Sequence, residues 1–399
     1  MFLQNLASAG SFLVMLTIIS CGFANIATAS NTSTPASKAS MDPLMDLSIE
    51  ELMQIKITSV SRREQKLSGT PSAIFVITQE DIRRSGATSI PEALRMAPGV
   101  EVARVATDKW SISVRGFNGR FANKLQVLMD GRSVYTPLFS GVIWSQQDTL
   151  MEDIERIEVI RGPGATVWGA NAVNGVINII TKKAIDTQGA MITAGGGSFE
   201  QGFIGMRYGG KINEATPFRI YAKGFSRDNT HSLAGSNLQD NWRSARAGFR
   251  LDHTRGIDQL TLQGDVFINR IGDSLLQPTL ISPFSRLDVV DTTEKGGNIR
   301  YRWGRNFSDQ SSIMLQTYYD RVQNQLTPWT KYAESFDIDF QHRLPILKSH
   351  DVTWGLNYRL YHNKVAETEL TQFNPAQKTN HNFSAFIRDE VTVIPEKLS

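Results

Sequence analysis

The chain has 399 residues, enough for two or three domains, and its 42 Lys and Arg against 39 Asp and Glu leave a net charge of +3. That near balance does not suggest a nucleic-acid partner. Cys21 is the single cysteine and sits in the N-terminal apolar stretch, so a mature chain cut after it has no disulfide, Cys-zinc site or cysteine nucleophile. His231, His253, His342, His350, His362 and His381 are scattered without metal-ligand spacing, so neither an enzyme nor a cofactor is indicated.

In chain order, residues 1–29 read as an export signal. Phe12 to Ile19 is its apolar core, and Ala27-Thr28-Ala29 is a small-x-small cleavage site. Met1 to Gly10 departs from the pattern in having no Lys or Arg. Ile18-Ile19-Ser20-Cys21 also fits lipoprotein processing with acylation of Cys21, and that alternative stays open. The apolar run is too short to span a bilayer as a helix, and no later stretch reaches the ~20 apolar residues needed. A place in a membrane would therefore require a barrel.

Residues 30–61 read as a leader. Ser30 to Ser40 is rich in Ser, Thr and Pro, and Ser48 with Glu51 has the spacing of a helix capping box. Ile55-Lys56-Ile57-Thr58-Ser59-Val60-Ser61 then alternates like an extended segment. Such a peptide can add as a strand to a partner, or be the first strand of the domain that follows.

Residues 62–185 read as one α+β domain. Ala73 to Thr78 is a strand, followed by a helix over Gln79 to Ser85 capped by Thr78 and ended by Gly86. Ser89 and Glu92 make a second capping box, and Pro98-Gly99 stops that helix. Ser111 to Arg115 and Leu125 to Met129 are strands, and Asp130-Gly131 is a tight hairpin turn. The closing run, Ile154 to Lys183, reads strand, glycine-broken turn, short segment, strand. Its turn lacks the Gly-Lys-Ser/Thr ending of a phosphate loop, and Pro163 removes a backbone donor such a loop needs.

Across residues 186–399 the period changes. Val352, Trp354, Leu356, Tyr358 and Leu360 share one face of a segment whose other face carries Thr353, Asn357 and Arg359. Gln259 to Asn269 and Phe336 to Gln341 alternate likewise. Apolar-out, polar-in segments of about ten residues indicate an antiparallel transmembrane β-barrel. Short turns near Arg255 to Asp258, Phe307 to Gln310 and Pro345 to Ser349 alternate with longer links at Asp228 to Asn241, Gly272 to Glu294 and Ala366 to Thr379. Trp242, Tyr301, Trp303, Tyr318, Tyr319 and Tyr361 suit the interfacial girdles, and about ten strands are expected.

The landmarks AIFVITQEDI, PEALRMAPGV, ISVRGF, VLMDGR and the run IERIEVIRGPGATVWGANAVNGVINIITKK together resemble the plug domain of TonB-dependent outer-membrane receptors. The resemblance implies an α+β plug domain followed by a transmembrane barrel in the Gram-negative outer membrane. A lumen that houses a plug needs ~22 strands, so the expectation is a plug plus a partial barrel. Pro395 to Ser399 reads as a periplasmic turn without a terminal aromatic, and import by this segment alone is not expected.

By the same resemblance, Ile55, Lys56, Ile57, Thr58, Ser59 and Val60 would be the box that pairs with TonB, which works with an inner-membrane energising complex. The nutrient would be large and scarce, first a ferric siderophore and alternatively cobalamin; a non-transporting binding remnant is the other reading. Asn118, Arg120, Phe121, Tyr135, Phe139 and Trp144, on outward-facing plug loops, would meet it. Arg115 and Arg161 match plug arginines that pair with barrel-wall glutamates, here expected in strands beyond those present.

Overall fold

The computed structural model describes residues 56–57, 65–66, 73–169, 171–232, 234–325, 329–346, 349–366 and 372–391. Residues 1–55, with the expected signal and most of the leader, lie outside them. So do Thr58, Ser59 and Val60. Lys56–Ile57 (β1) pairs antiparallel with Gln65–Lys66 (β2).

The closing run folds as the sequence implies. Ile154–Arg161 (β10) and Gly175–Thr181 (β11) pair antiparallel, from Arg161 opposite Gly175 back to Ile154 opposite Thr181. Gly175 lets the backbones approach closely: a Cβ there would lie 2.6 Å from the Ile160 carbonyl oxygen. Flanking them are Ile74–Thr78 (β3), Leu125–Met129 (β6) and Arg132–Ser133 (β7), giving the order β3-β10-β11-β6-β7. β11 and β6 run parallel. A central strand covered on both faces needs a continuous apolar run rather than an alternating one, and Val176, Ile177 and Ile179 are fully buried. Each such side chain contributes roughly 1.5–3 kcal/mol by leaving water.

Gln79–Ser85 (α1) starts on a complete capping box between Thr78 and Asp81 and ends at Gly86 in the left-handed region (φ 68°). Ile90–Leu94 (α2) begins after Ser89, but the Ser89 side chain makes no capping bond, so the expected second box is absent. Pro91, already fixed near helical φ and lacking an N–H, starts this helix instead. Val100–Arg104 (β4) and Trp110–Val114 (β5) form a separate hairpin. Asp130 and Gly131 both have positive φ (52° and 81°), the geometry of the tight turn between β6 and β7. Just beyond it, Tyr135–Thr136 (β8) and Gly141–Val142 (β9) pair as a short ribbon.

The second part is a ten-stranded antiparallel sheet joined in chain order. Its strands are Gly189–Gly195 (β12), Glu200–Asn213 (β13), Thr216–Arg227 (β14), Trp242–Arg255 (β15), Asp258–Pro278 (β16), Ser285–Ser308 (β17), Ser311–Gln325 (β18), Thr330–Ile346 (β19), His350–Ala366 (β20) and Gln377–Val391 (β21). Pairing Leu260 with Trp303, Leu262 with Tyr301 and Gly264 with Ile299 lays an apolar band along the outward face. It continues through Tyr319, Ile338 and Leu356, all exposed in the isolated chain. Among the described residues no helix is long and apolar enough to cross a membrane, a finding that does not bear on strands.

Two expectations change. Gly272 to Glu294 is not a long link: β16 and β17 stay paired out to Pro278 and Ser285. At 21 and 24 residues they exceed the ~9–11 needed to cross a bilayer, so the hairpin stands beyond the band. Of the girdle aromatics, Tyr301 and Tyr319 face outward, whereas Trp242, Tyr318 and Tyr361 are buried on the inner face at 4%, 2% and 8% exposure. Strand parity, not position along the segment, decides which way a ring points.

Candidate functional site at the plug and barrel seam

On β14, Arg219, Lys223 and Arg227 are spaced by four, and on β15 so are Arg246 and Arg250. Residues four apart on a strand share a face, so both strands present basic side chains to the inside. Arg207 on β13 and Arg300 on β17 join them. The plug meets this wall with carboxylates. Asp153, fully buried, is ion-paired with Arg207 and lies 3.5 Å from Arg219 Nε. Lys223 Nζ donates to Asp148 Oδ1 (2.8 Å) and to the Thr149 carbonyl (2.9 Å). Arg246 Nη2 donates to the Gln146 carbonyl at 2.6 Å.

Asp130, at the hairpin turn, is the most heavily bonded of these acids. Its carboxylate accepts from Thr181 N–H and Oγ1, both at 2.8 Å, and from Gln263 Nε2 at 2.7 Å. Burial by itself pushes this carboxyl up, but Arg300 and Arg250, with the Gln263 and Thr181 hydrogen bonds, hold it below the ordinary carboxylate range. Farther along the wall Arg132 of the plug pairs with Asp320 at 2.6 Å. Glu294 accepts from Ser145 (2.8 Å) and Gln146 (3.2 Å) of the plug. Asn269 and Asn324 of the wall donate to it as well.

A small residue lets the two parts touch: a Cβ on Gly205 would sit 2.6 Å from Leu150 Cδ2.

The tip of the β4–β5 hairpin is held from outside. Thr107 N–H donates to Asp240 Oδ2 (2.9 Å) in the β14–β15 link, and Lys109 Nζ reaches Asp273 (2.5 Å) at the outer end of β16. Asp108 between them is 8% exposed, and its Oδ1 has no hydrogen-bond partner. Burial pushes its carboxyl up to about 7 against the pull of Lys109, with Glu294 and Asp273 adding to the rise.

The expected contact residues fall in two groups. Phe121 and Phe139 stack at 5.1 Å between centroids and 10° between planes. Arg120 lies over Phe121 at 5.1 Å, and Asn118 Oδ1 accepts from Ser111 at 2.6 Å. Tyr135 is half-buried at a cleft between plug and wall. Trp144 is different: at 5% exposure it belongs to the plug core, packed with Ile112, Leu125 and Val142. The sequence reading missed Trp329, 6.1 Å from Phe139, and Phe373, 6.0 Å from Trp329. Both lie in outer links, where a lone aromatic within a polar stretch was the available signal.

Arg161 Nη1 donates to the Pro98 carbonyl (3.3 Å), and Arg115 packs its guanidinium by Gly162. Neither forms a side-chain ion pair with an acid among the described residues. The plug is seated instead by Arg132 and by acids facing wall cations.

The family described as TonB-dependent Receptor Plug Domain matches residues 66–176. The vitamin B12 transporter BtuB of Photobacterium profundum is 31% identical over 223 residues, covering 51% of this chain and 36% of that protein. BtuB of Vibrio cholerae serotype O1 is 30% identical over 200 residues, covering 49% and 31%. The chain thus spans about a third of the length of the curated relatives it matches.

Among solved structures, the ferripyoverdine receptor of the Pseudomonas aeruginosa outer membrane aligns with a TM-score of 0.60 at 18% identity over 78% of this chain and 45% of that one. The siderophore receptor PirA of Acinetobacter baumannii aligns at 0.62 and 18%, over 80% and 54%. At these identities the structural likeness speaks for the fold. Plug match, outward-apolar strands and these alignments together show a TonB-dependent receptor plug domain over residues 66–176, followed by strands with the fold of part of an outer-membrane receptor barrel.

Proposed function

We propose that the protein takes part in TonB-energised import of a large, scarce nutrient, with a ferric siderophore as the first reading. The observation that carries it is the seating of a folded plug on the inner wall through buried charge pairs, Asp153 with Arg207 and Asp148 with Lys223. A plug so held blocks a pore and can be shifted only by work, which is what an energised partner supplies. No bond of the nutrient is made or broken in this scheme.

Within it, residues 1–29 direct export and residues 30–61 carry the TonB box, Ile55 to Val60. The box adds as a strand to its partner through backbone hydrogen bonds. The plug spans 62–185 and the barrel strands follow from 186. Asn118, Arg120, Phe121, Tyr135 and Phe139 stand on the ligand side, and Arg115 and Arg161 match by resemblance the plug arginines that lock against wall carboxylates. Cobalamin is the second reading, supported by the relatives at 30–31% identity being vitamin B12 transporters.

Uptake of radiolabelled ferric siderophores and cyanocobalamin by cells carrying the full coding sequence tests this. Accumulation that stops when TonB is deleted supports it. Accumulation of neither, or accumulation indifferent to TonB, contradicts it.

A further inference from the structure

The outward face of the wall carries charge at both margins of its apolar band, but the two margins differ. At the margin of the short turns, Asp258 stands between two arginines: Arg255 is its partner on β15, and Arg305 of β17 pairs with it at 2.7 Å. Outward-facing Leu260, Leu262, Val266 and Ile268 follow along β16. At the opposite margin, from which the β14–β15 link and the long β16–β17 hairpin continue, the charge is one-sided. Arg270 lies directly opposite Arg243 of β15, and Lys295 of β17 lies diagonally beside Arg270, opposite Ile268. All three are exposed, and none has a side-chain partner among the described residues.

The acids near them do not balance the cluster. Asp291, one step farther out opposite Gly272, pairs with none of the three. Glu334 lies 3.5 Å from Arg321, two strands away. Glu294 and Asp273 point inward, to Ser145 and Lys109 of the plug. Like charges directly opposite on paired strands repel, and adjoining hydrocarbon weakens the screening that water would give. Such a pair becomes favourable where an anion bridges it.

Opposed positions on paired strands lie ~4.5–5.5 Å apart and diagonal ones ~7–8 Å. Both guanidinium groups can therefore close on one phosphate, each through two parallel N–H donors, while the Lys295 ammonium reaches a second. Directly beneath, Ala245, Val266, Ile268 and Ile299 face outward with no charge among them. An occupant that satisfies both surfaces is anionic at one end and hydrocarbon at the other. A soluble acid fits only the first surface, and a neutral lipid only the second.

We propose that Arg243, Arg270 and Lys295 dock the phosphorylated headgroup of an outer-leaflet lipid, whose acyl chains lie along the apolar band below. The site is on the lipid side of the wall and shares no residue with the plug seam, so it stands whichever nutrient is carried.

The test titrates the detergent-solubilised protein, made from its full coding sequence, with bisphosphorylated lipid A, its dephosphorylated form and phosphatidylglycerol, counting bound lipid by native mass spectrometry. Lipid A should bind most tightly, and its dephosphorylated form about tenfold or more weakly. R243Q/R270Q/K295Q should weaken lipid A binding by about tenfold or more, R243K/R270K/K295R should keep part of that affinity, and R305Q, at the other margin, should change it little. Equal lipid A binding by R243Q/R270Q/K295Q and the parent overturns the proposal. So does equal binding of lipid A and its dephosphorylated form. Displacement of bound lipid A by equimolar inorganic phosphate also overturns it, since the site would then be one for free anions. If the triple variant loses the heat-modifiable mobility of a folded barrel, R270Q alone decides, with a loss of about threefold or more expected and no loss contradicting the proposal.

Discussion

Lys223 of the third barrel strand and Asp148 of the plug meet at 2.8 Å, each side chain 9% exposed. They lie 75 residues apart in sequence, and the same ammonium also reaches the Thr149 and Thr88 carbonyls, at 2.9 and 3.4 Å. Removing one partner of such a pair leaves a desolvated charge. Lys223→Met should destabilise the seated plug by about 3–5 kcal/mol. With Asp148→Asn as the second change, a double-mutant cycle should show a coupling of roughly 1 kcal/mol or more. Denaturant-driven release of the plug from the detergent-solubilised protein measures both. Additive effects would mean that the pair does not hold the seam.

Gly205 tests the closeness of the fit. Its missing side chain is what admits Leu150, so Gly205→Val forces the plug off the wall or Leu150 out of its rotamer. Overpacking of this kind costs about 1–3 kcal/mol. Protease digestion of the plug should be faster in Gly205→Val, and Leu150→Ala in the same chain should recover part of the loss. No change in digestion would mean that the gap is wider than described.

Two buried aspartates respond to pH with opposite signs. Asp130 is held below its ordinary range by Arg300 and Arg250, so its contribution is present above about pH 4 and is lost as pH falls through its lowered value. Asp108, raised to about 7 by burial, works the other way. Its contribution is complete below about pH 4 and is lost as pH rises through about 7. Asp108→Asn should therefore stabilise the plug at pH 8 and change little at pH 4. Hydrogen exchange of the Val105 and Lys109 amides, which close the hairpin tip, reads this directly. A greater stabilisation at pH 4 than at pH 8 would contradict the burial of Asp108.

For the leader, Ile57→Pro removes a backbone donor and resists strand addition to a partner. Binding of nutrient at the cell surface should be unchanged and accumulation should fall to the level of a TonB-deleted strain. Normal accumulation would move the box elsewhere.

Much of the plug was legible because local signals agreed with the tertiary fold. The apolar runs of β10 and β11 could only be covered strands, Asp130-Gly131 could only turn tightly, and Thr78 capped the helix it precedes. Alternation in Trp354 to Leu360 gave the outward face of β20 for the same reason, while Val352 at the head of the series is buried. Contacts between distant segments were not legible. Nothing local says that Asp153 will meet Arg207, or that Lys331 will lie over Phe139. Trp144 looked like a loop-tip aromatic because it follows a short glycine-bounded ribbon and precedes Ser145-Gln146-Gln147, yet its indole is buried in the plug core with Ile112 and Val142. Ser89 shows the converse: the capping spacing is present, but Pro91 already starts the helix.

Single cysteines placed in turn at residues 352 to 361, labelled with an environment-sensitive fluorophore in native outer membranes and challenged with brominated lipid, probe the central arrangement most directly. Quenching should alternate, strong at Trp354, Leu356, Tyr358 and Leu360 and weak at Thr353, Asn357 and Arg359. Quenching that is uniform along the segment, or strongest at the second set, would contradict a barrel wall with lipid on one side and the plug on the other.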